Sequence, residues 1–257
     1  MTPTDLAREL AVATAAAQAA GIEVAKMRQE GLRYGHKQGF ELVSEADVRA
    51  NEMLHAAITG AFPHDGWLSE EHTDTSDRLT RDRVWIIDPI DGTREFLQGI
   101  PEYAVSVGLV IDGRPALGVV YNPATDELFA GSCLGAAERP ALLVPRTFTV
   151  LVGRGEQQWD EIPPLPPGAR TEGVGSVAYR LALVARGAKG QVSLTGSGRS
   201  EWDVAAGIAL CLAAGLRATD VLGAPLPFNQ RDPYVRGLLV APAGLHEHLS
   251  KHLRRYG

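Results

Sequence analysis

The stretch Trp85-Ile86-Ile87-Asp88-Pro89-Ile90-Asp91-Gly92-Thr93 decides how this chain is read. Val84-Trp-Ile-Ile is a short, unbroken apolar run, the pattern of a strand buried on both faces, and it ends in Asp88. Pro89 is expected to force a turn that folds Asp91 back toward Asp88. Two carboxylates on one tight turn repel strongly away from water, and a divalent cation relieves that repulsion. Gly92 lets backbone approach a ligand closely. Thr93 precedes a short helical turn, Arg94-Glu95-Phe96-Leu97, and free N–H groups at a helix start suit phosphate oxygens.

Further carboxylates stand at the ends of other expected elements. Trp67-Leu-Ser-Glu70 reads as a strand ending in Glu70 and Glu71, and Asp203 opens a helix over 202–214. Each has a plainer reading. Asp88-Pro-Ile-Asp-Gly alone suits a surface turn, and Glu70-Glu71 suits a solvated strand end. Asp47 and Asp203 each follow a serine by three residues (Ser44, Ser200), which is helix-capping spacing. Taken together, Glu70, Asp88, Asp91 and Asp203 read as a metal cluster. Oxygen-only ligands favour Mg²⁺ or Mn²⁺ over zinc, and such a cluster fits two-metal phosphoryl chemistry.

The rest of the chain frames this cluster. An Ala-rich helix is expected over 3–29, a glycine-bounded loop at Gly35–Phe40, and a helix from Ser44 to Gly60. Tyr103–Ile111 and Pro115–Tyr121, joined by Asp112-Gly113-Arg114, read as a hairpin. The segment 161–168 carries four prolines and excludes regular structure. Helices at about 177–186 and 202–214 alternate with short strands, so the second half reads as an α/β layer. The expectation is two domains, 1–140 with an antiparallel sheet and the metal site, and 141–257 supplying Asp203.

With 45% apolar residues in 257, the chain can bury a core without disulfide or metal staples. Formal net charge is −6 with no basic stripe, which argues against a nucleic-acid polymer as partner. The N-terminus carries Asp5, Arg8 and Glu9 without an apolar h-region, and no run approaches the ~20 apolar residues of a membrane span. A cytoplasmic protein with no membrane partner is expected. Cys133 and Cys211 read as unpaired structural residues. His246, His248 and His252 read as a solvated helix face, and Gly196-Ser-Gly198 lacks the rest of a dinucleotide fingerprint.

Three separated segments resemble the inositol monophosphatase superfamily, the magnesium-dependent, lithium-sensitive phosphatases. They are Ser69-Glu70-Glu71, Trp85 to Thr93, and Glu201-Trp-Asp-Val-Ala-Ala-Gly207. Leu42-Val-Ser-Glu-Ala-Asp47, Gly175-Ser176 and Phe228-Asn229 are similar to further family segments, so the resemblance runs nearly the whole chain. It implies a layered αβαβα sandwich, of mixed α+β and α/β character, and often a homodimer. It implies two or three Mg²⁺ ions, with Mn²⁺ able to substitute. Glu70, Asp88 and the Ile90 carbonyl would hold the first, and Asp88, Asp91 and Asp203 the second. Thr93 paired with Asp47 would orient the attacking water, with Glu70 completing the catalytic set. Asp91, Gly92, Thr93, Ser176 and Asp203 would contact the substrate.

The expected activity is hydrolysis of a phosphate monoester on a small phosphorylated metabolite. The pair Glu95-Phe96 resembles the bisphosphate-nucleotide branch, which makes a 3′(2′),5′-bisphosphate nucleotide the leading substrate. Inositol 1-phosphate and sugar bisphosphates follow. Lys189 and Arg199 read as surface charges in preference to contacts with a second phosphate. A non-catalytic metal-binding regulator is disfavoured because every carboxylate the chemistry needs is present.

Overall fold

The computed structural model describes residues 5–31, 34–36, 42–139, 144–187, 190, 192–196 and 198–255. The expected domain boundary near 140 and Lys189 lie outside them. Helix α1 (Ala7–Glu30) is alanine-rich, which favours helix at little side-chain entropy cost. Strand β1 (Tyr34–His36) pairs antiparallel with β2 (Leu42–Ser44), so the expected loop begins as a hairpin arm. Helix α2 (Glu45–Ala61) follows directly.

The first sheet holds β3 (Gly66–Ser69), β4 (Arg83–Asp91), β5 (Ala104–Ile111), β6 (Arg114–Asn122) and β7 (Glu127–Ser132), side by side in that order. Only the β3–β4 pair is parallel. Asp112 and Gly113 both take positive φ, 50° and 72°, which matches the right-handed twist of a two-residue hairpin. Alternation along β4 sends Trp85 and Ile87 into a core shared with α1 and α2, and Val84 and Ile86 into another. That second core is shared with α5 (Val177–Arg186) and α6 (Glu201–Ala213).

Beyond α5 and α6 lies the second sheet. Its strands are β8 (Phe148–Gly153), β9 (Ala169–Val174), β10 (Val192–Thr195), β12 (Arg217–Thr219) and β14 (Leu238–Ala241), in the order β12-β14-β10-β8-β9. Phe148, Val150 and Val152 pack with Leu245, Leu249 and Leu253 of α7 (Ala243–Leu253) in a third core. The short helices α3 (Thr93–Gln98) and α4 (Arg154–Gln158) and the strand pair β11 (Arg199–Ser200) and β13 (Tyr234–Val235) complete the fold. Helices, sheet, helices, sheet, helix is the αβαβα sandwich expected. The proline-rich 161–168 segment is irregular, as its missing N–H donors require.

Glycine sets how closely α6 approaches the first sheet. Gly108, Gly118 and Gly131 face one another across β5, β6 and β7. A methyl at Gly118 would lie 2.1 Å from the Ala206 carbonyl oxygen, and one at Gly108 would lie 3.0 Å from the Ala206 nitrogen. On the other side of α6, a methyl at Gly207 would lie 2.6 Å from Leu181 Cβ. Ala205-Ala206-Gly207 thus lets the helix sink between sheet and α5, and its N-terminus delivers Asp203.

Candidate metal centre

Parallel pairing brings Glu70 and Asp88 to the same end of two neighbouring strands. Ser69 pairs with Ile87, and the Glu70 N–H donates to the Ile87 carbonyl at 3.3 Å. The backbone after Asp88 differs from the expected turn: β4 continues to Asp91, with a register shift between Asp88 and Asp91 against β5. A bulge re-aims side chains without ending the strand. Asp88 stabilises it by accepting the Ile90 N–H at 3.0 Å.

Asp88, Asp91 and Asp203 each place a carboxylate oxygen within 4.8 Å of the others. Asp88 and Asp91 are buried and Asp203 half-buried. Burial, then the neighbouring charge of Glu70, pushes the Asp88 carboxyl well above the usual range. Burial and the charge of Asp91 do the same to Asp203. Asp91 is also raised by burial, but two hydrogen bonds oppose the shift. Its Oδ2 accepts from Ser176 Oγ at 2.6 Å and from the Ala178 N–H at 2.5 Å. Three crowded, oxygen-only donors with this repulsion fit a divalent cation, which would draw all of them to the ionised form. Glu70 stands beside this triad, half-buried, with its charge bearing on both Asp88 and Asp203.

Asp47 and Asp203 reconcile the two readings the spacing left open. Asp47 Oδ2 accepts from the Ser44 N–H and hydroxyl at 2.8 and 2.6 Å, while its Oδ1 accepts from Thr93 Oγ1 at 3.1 Å. Asp203 Oδ2 accepts the Ser200 N–H at 3.0 Å while the same carboxylate faces Asp88 and Asp91. Each aspartate caps its helix, and the same carboxylate also reaches beyond the cap, Asp47 to Thr93 and Asp203 to Asp88 and Asp91. Thr93 also lies 3.0 Å from the Ile90 carbonyl, so Asp47, Thr93 and Ile90 form one chain. Gly92 takes φ 95° at the start of α3, backed by the Glu102 carbonyl and Ser176, each of which a methyl there would crowd. Ser176 itself is fully buried and reaches the site through Asp91.

Several supporting residues escaped the sequence reading. Asn51, one helical turn after Asp47, accepts from Ser69 Oγ at 2.7 Å and donates to the Glu71 carbonyl at 3.3 Å. Its i+4 spacing from Asp47 was the available signal. Glu102 accepts the Gly175 N–H at 2.9 Å and so fixes the loop before α5. Glu95, already singled out in the sequence with Phe96, is buried on Gly175, and burial raises its carboxyl. Behind Asp91, fully buried Arg180 is held near 10, below the ordinary arginine value, chiefly by burial. Arg180 and Arg199 share Glu156 Oε2 at 3.8 and 3.9 Å.

Two expectations are corrected. Arg199 is not a surface charge: its side chain is 26% exposed and its charge bears on Asp91 and Asp203. His246 is not solvated either; it is buried against Thr219 at 2.9 Å, whereas His248 is exposed. A cavity of about 870 Å³ lies away from this centre, toward the C-terminal end of α6 beside Ile208, Leu212 and Phe228.

A layered sandwich whose carboxylate triad can hold a divalent ion suits the class of metal-dependent phosphatases. The chain belongs to the inositol monophosphatase family, whose model matches residues 5–257. It is 35% identical over 209 residues to an inositol-1-monophosphatase of Mesorhizobium japonicum, covering 76% of this chain and 77% of that protein. It is 34% identical over 225 residues to a 3′-phosphoadenosine 5′-phosphate phosphatase of Mycobacterium bovis, covering 81% and 80%. The solved extragenic suppressor protein suhB of Bartonella henselae superposes with a TM-score of 0.78 at 26% identity, over 97% of this chain and 99% of that one. Inositol monophosphatase from Anabaena gives 0.75 at 28%, over 97% and 96%. The protein is therefore a metal-dependent phosphoric monoester hydrolase acting on a small phosphorylated metabolite. Among the described residues no helix is long and apolar enough to cross a membrane.

Proposed function

We propose that this phosphatase releases phosphate from a 3′(2′),5′-bisphosphate nucleotide such as adenosine 3′,5′-bisphosphate, with Mg²⁺ as its ion. The observation that carries the substrate is the half-buried Arg199 guanidinium beside Asp91 and Asp203, braced through Glu156 against Arg180. A guanidinium in such a place matches a second phosphate bidentately. Support comes also from relatives named 3′-phosphoadenosine 5′-phosphate phosphatase, including one from Mycobacterium leprae 34% identical over 92% of this chain. Inositol 1-phosphate is the second reading, favoured by the Mesorhizobium relative.

In this proposal Glu70, Asp88 and the Ile90 carbonyl would hold one ion, and Asp88, Asp91 and Asp203 another. Divalent ions held there would lower the pKa of a bound water and offset charge on the leaving oxygen. The chain's own part is orientation. Asp47 fixes the Thr93 hydroxyl, which aims the attacking water, and the Gly92 and Thr93 N–H groups face the phosphate. Ser176 and Ala178 keep one Asp91 oxygen occupied, leaving the other for the site. The two-domain division near residue 140 and a homodimer belong to the same reading, and sedimentation tests the latter.

Phosphate release with Mg²⁺ is measured from adenosine 3′,5′-bisphosphate, 3′-AMP and inositol 1-phosphate, each with EDTA or Li⁺ as controls. Arg199→Gln should lower kcat/KM for the bisphosphate about 10–100-fold more than for 3′-AMP, the worth of one charge-assisted pair. A wild type that prefers inositol 1-phosphate discards the nucleotide.

A further inference from the structure

One buried arginine ties together the two segments that carry Glu70 and Asp203. Arg78 lies in the 3-10 turn Ser76–Thr80, eight residues after Glu70, and is 2% exposed. Its Nε and Nη2 donate to Asp74 at 2.7 and 2.8 Å. Its Nη1 donates to Asn229 Oδ1 at 2.8 Å, and Nη2 also reaches the Gln230 carbonyl at 3.0 Å. Asn229 Nδ2 returns a bond to the Arg78 carbonyl at 3.0 Å.

The opposite edge of the same loop grips α6. The N–H groups of Asn229 and Gln230 donate to the two carboxylate oxygens of Glu201 at 2.7 and 2.8 Å. Glu201 is 1% exposed and opens α6, two residues before Asp203. Its own N–H donates to the Pro233 carbonyl at 2.9 Å. The loop can present amides to Glu201 and polar groups to Arg78 because Asn229 sits in the left-handed region at φ 57°, which asparagine tolerates better than most residues.

We infer that Arg78 and Glu201 are positioning residues, clamping residues 229–230 between them so that Asp203 stays in register with the segment leaving Glu70. Neither touches substrate. The inference rests on the metal roles proposed above for Glu70 and Asp203. The planar fork of arginine matters: three nitrogens make four directed bonds here, which a lysine ammonium on the same stem cannot reproduce.

The test uses Mn²⁺ as probe on the metal-stripped full chain, by calorimetric titration, with phosphate release measured in parallel. Arg78→Lys keeps the charge, and Asn229→Gly keeps the left-handed backbone while removing both bonds to Arg78. Each should weaken Mn²⁺ binding about tenfold, as loss of groups supporting metal ligands commonly does. Each should also lower activity at limiting Mn²⁺ and recover it at higher Mn²⁺, with circular dichroism unchanged. Wild-type Mn²⁺ affinity in both folded variants, whatever their melting temperatures, overturns the clamp. Asp91→Asn, titrated alongside, separates the cases: if it binds Mn²⁺ like wild type, the metal roles themselves fail.

Discussion

Gly118→Ala puts a methyl carbon where the Ala206 carbonyl oxygen already lies 2.1 Å away and its carbonyl carbon 2.9 Å away. An ordinary carbon–oxygen contact is about 3.3 Å, so α6 must retreat by roughly 1 Å. The helix has no room to yield, because Leu181 of α5 presses on Gly207 from the other side. Overpacking of this kind costs about 2–3 kcal/mol, or roughly 5–10 °C in Tm for a chain of this size. The retreat also carries Asp203 with it, and a displacement of about 1 Å in a catalytic group costs on the order of 100-fold in rate. Gly131→Ala is the control in the same row of the sheet. Its methyl meets Leu210 and Ala213 at 3.7 and 3.9 Å, ordinary contact distances, so stability should move by less than about 0.5 kcal/mol and activity should hold. Thermal unfolding in EDTA and kcat at saturating metal measure both effects. Indistinguishable behaviour of the two variants would refute the claim that the glycine trough sets the place of Asp203.

Other outcomes follow from the same geometry. Asp91→Asn should abolish turnover and weaken Mn²⁺ binding while near-UV dichroism stays native; retained activity would remove Asp91 from the centre. Thr93→Ala should lower kcat by about 10²–10⁴-fold, the usual worth of an oriented proton-transfer group, with Mn²⁺ affinity unchanged; equal losses in binding would make Thr93 merely structural. Burial lowers His246 from 6.5 to about 4, so the folded state binds fewer protons there than the unfolded state. That contribution is complete above pH 6.5 and is lost as pH falls through 4, a difference of about 3 kcal/mol. Urea denaturation at pH 7 and pH 4 should show a smaller acid loss in His246→Gln than in wild type, and identical losses would exclude this histidine.

Much of the site was legible because its residues sit at the ends of strongly patterned elements. Trp85-Ile-Ile, apolar at successive positions, announced a strand covered on both faces, and Asp88 at its end had to be desolvated. The turn expected at Pro89 failed because β5 keeps pairing as far as Asp91, and a bulge absorbs the proline. Asp47 and Asp203 were ambiguous because Ser-x-x-Asp describes a cap and says nothing of the second carboxylate oxygen. Arg199 and His246 were misplaced because neither a two-residue strand nor one face of a helix shows in its own sequence what folds over it.

Local sequence determined the strands, the helices with their caps and glycine stops, and the placing of the candidate carboxylates at element ends, since these depend on periodicity, backbone freedom and charge within a few residues. Only the tertiary structure decided which carboxylates meet. It also decided that Ser176 holds Asp91, that Asn51 and Glu102 fix the neighbouring segments, and that loop 229–230 links Arg78 to Glu201 of α6. Those contacts join residues 18 to 151 positions apart, and their directions come from sheet register and helix seating, which no local pattern encodes.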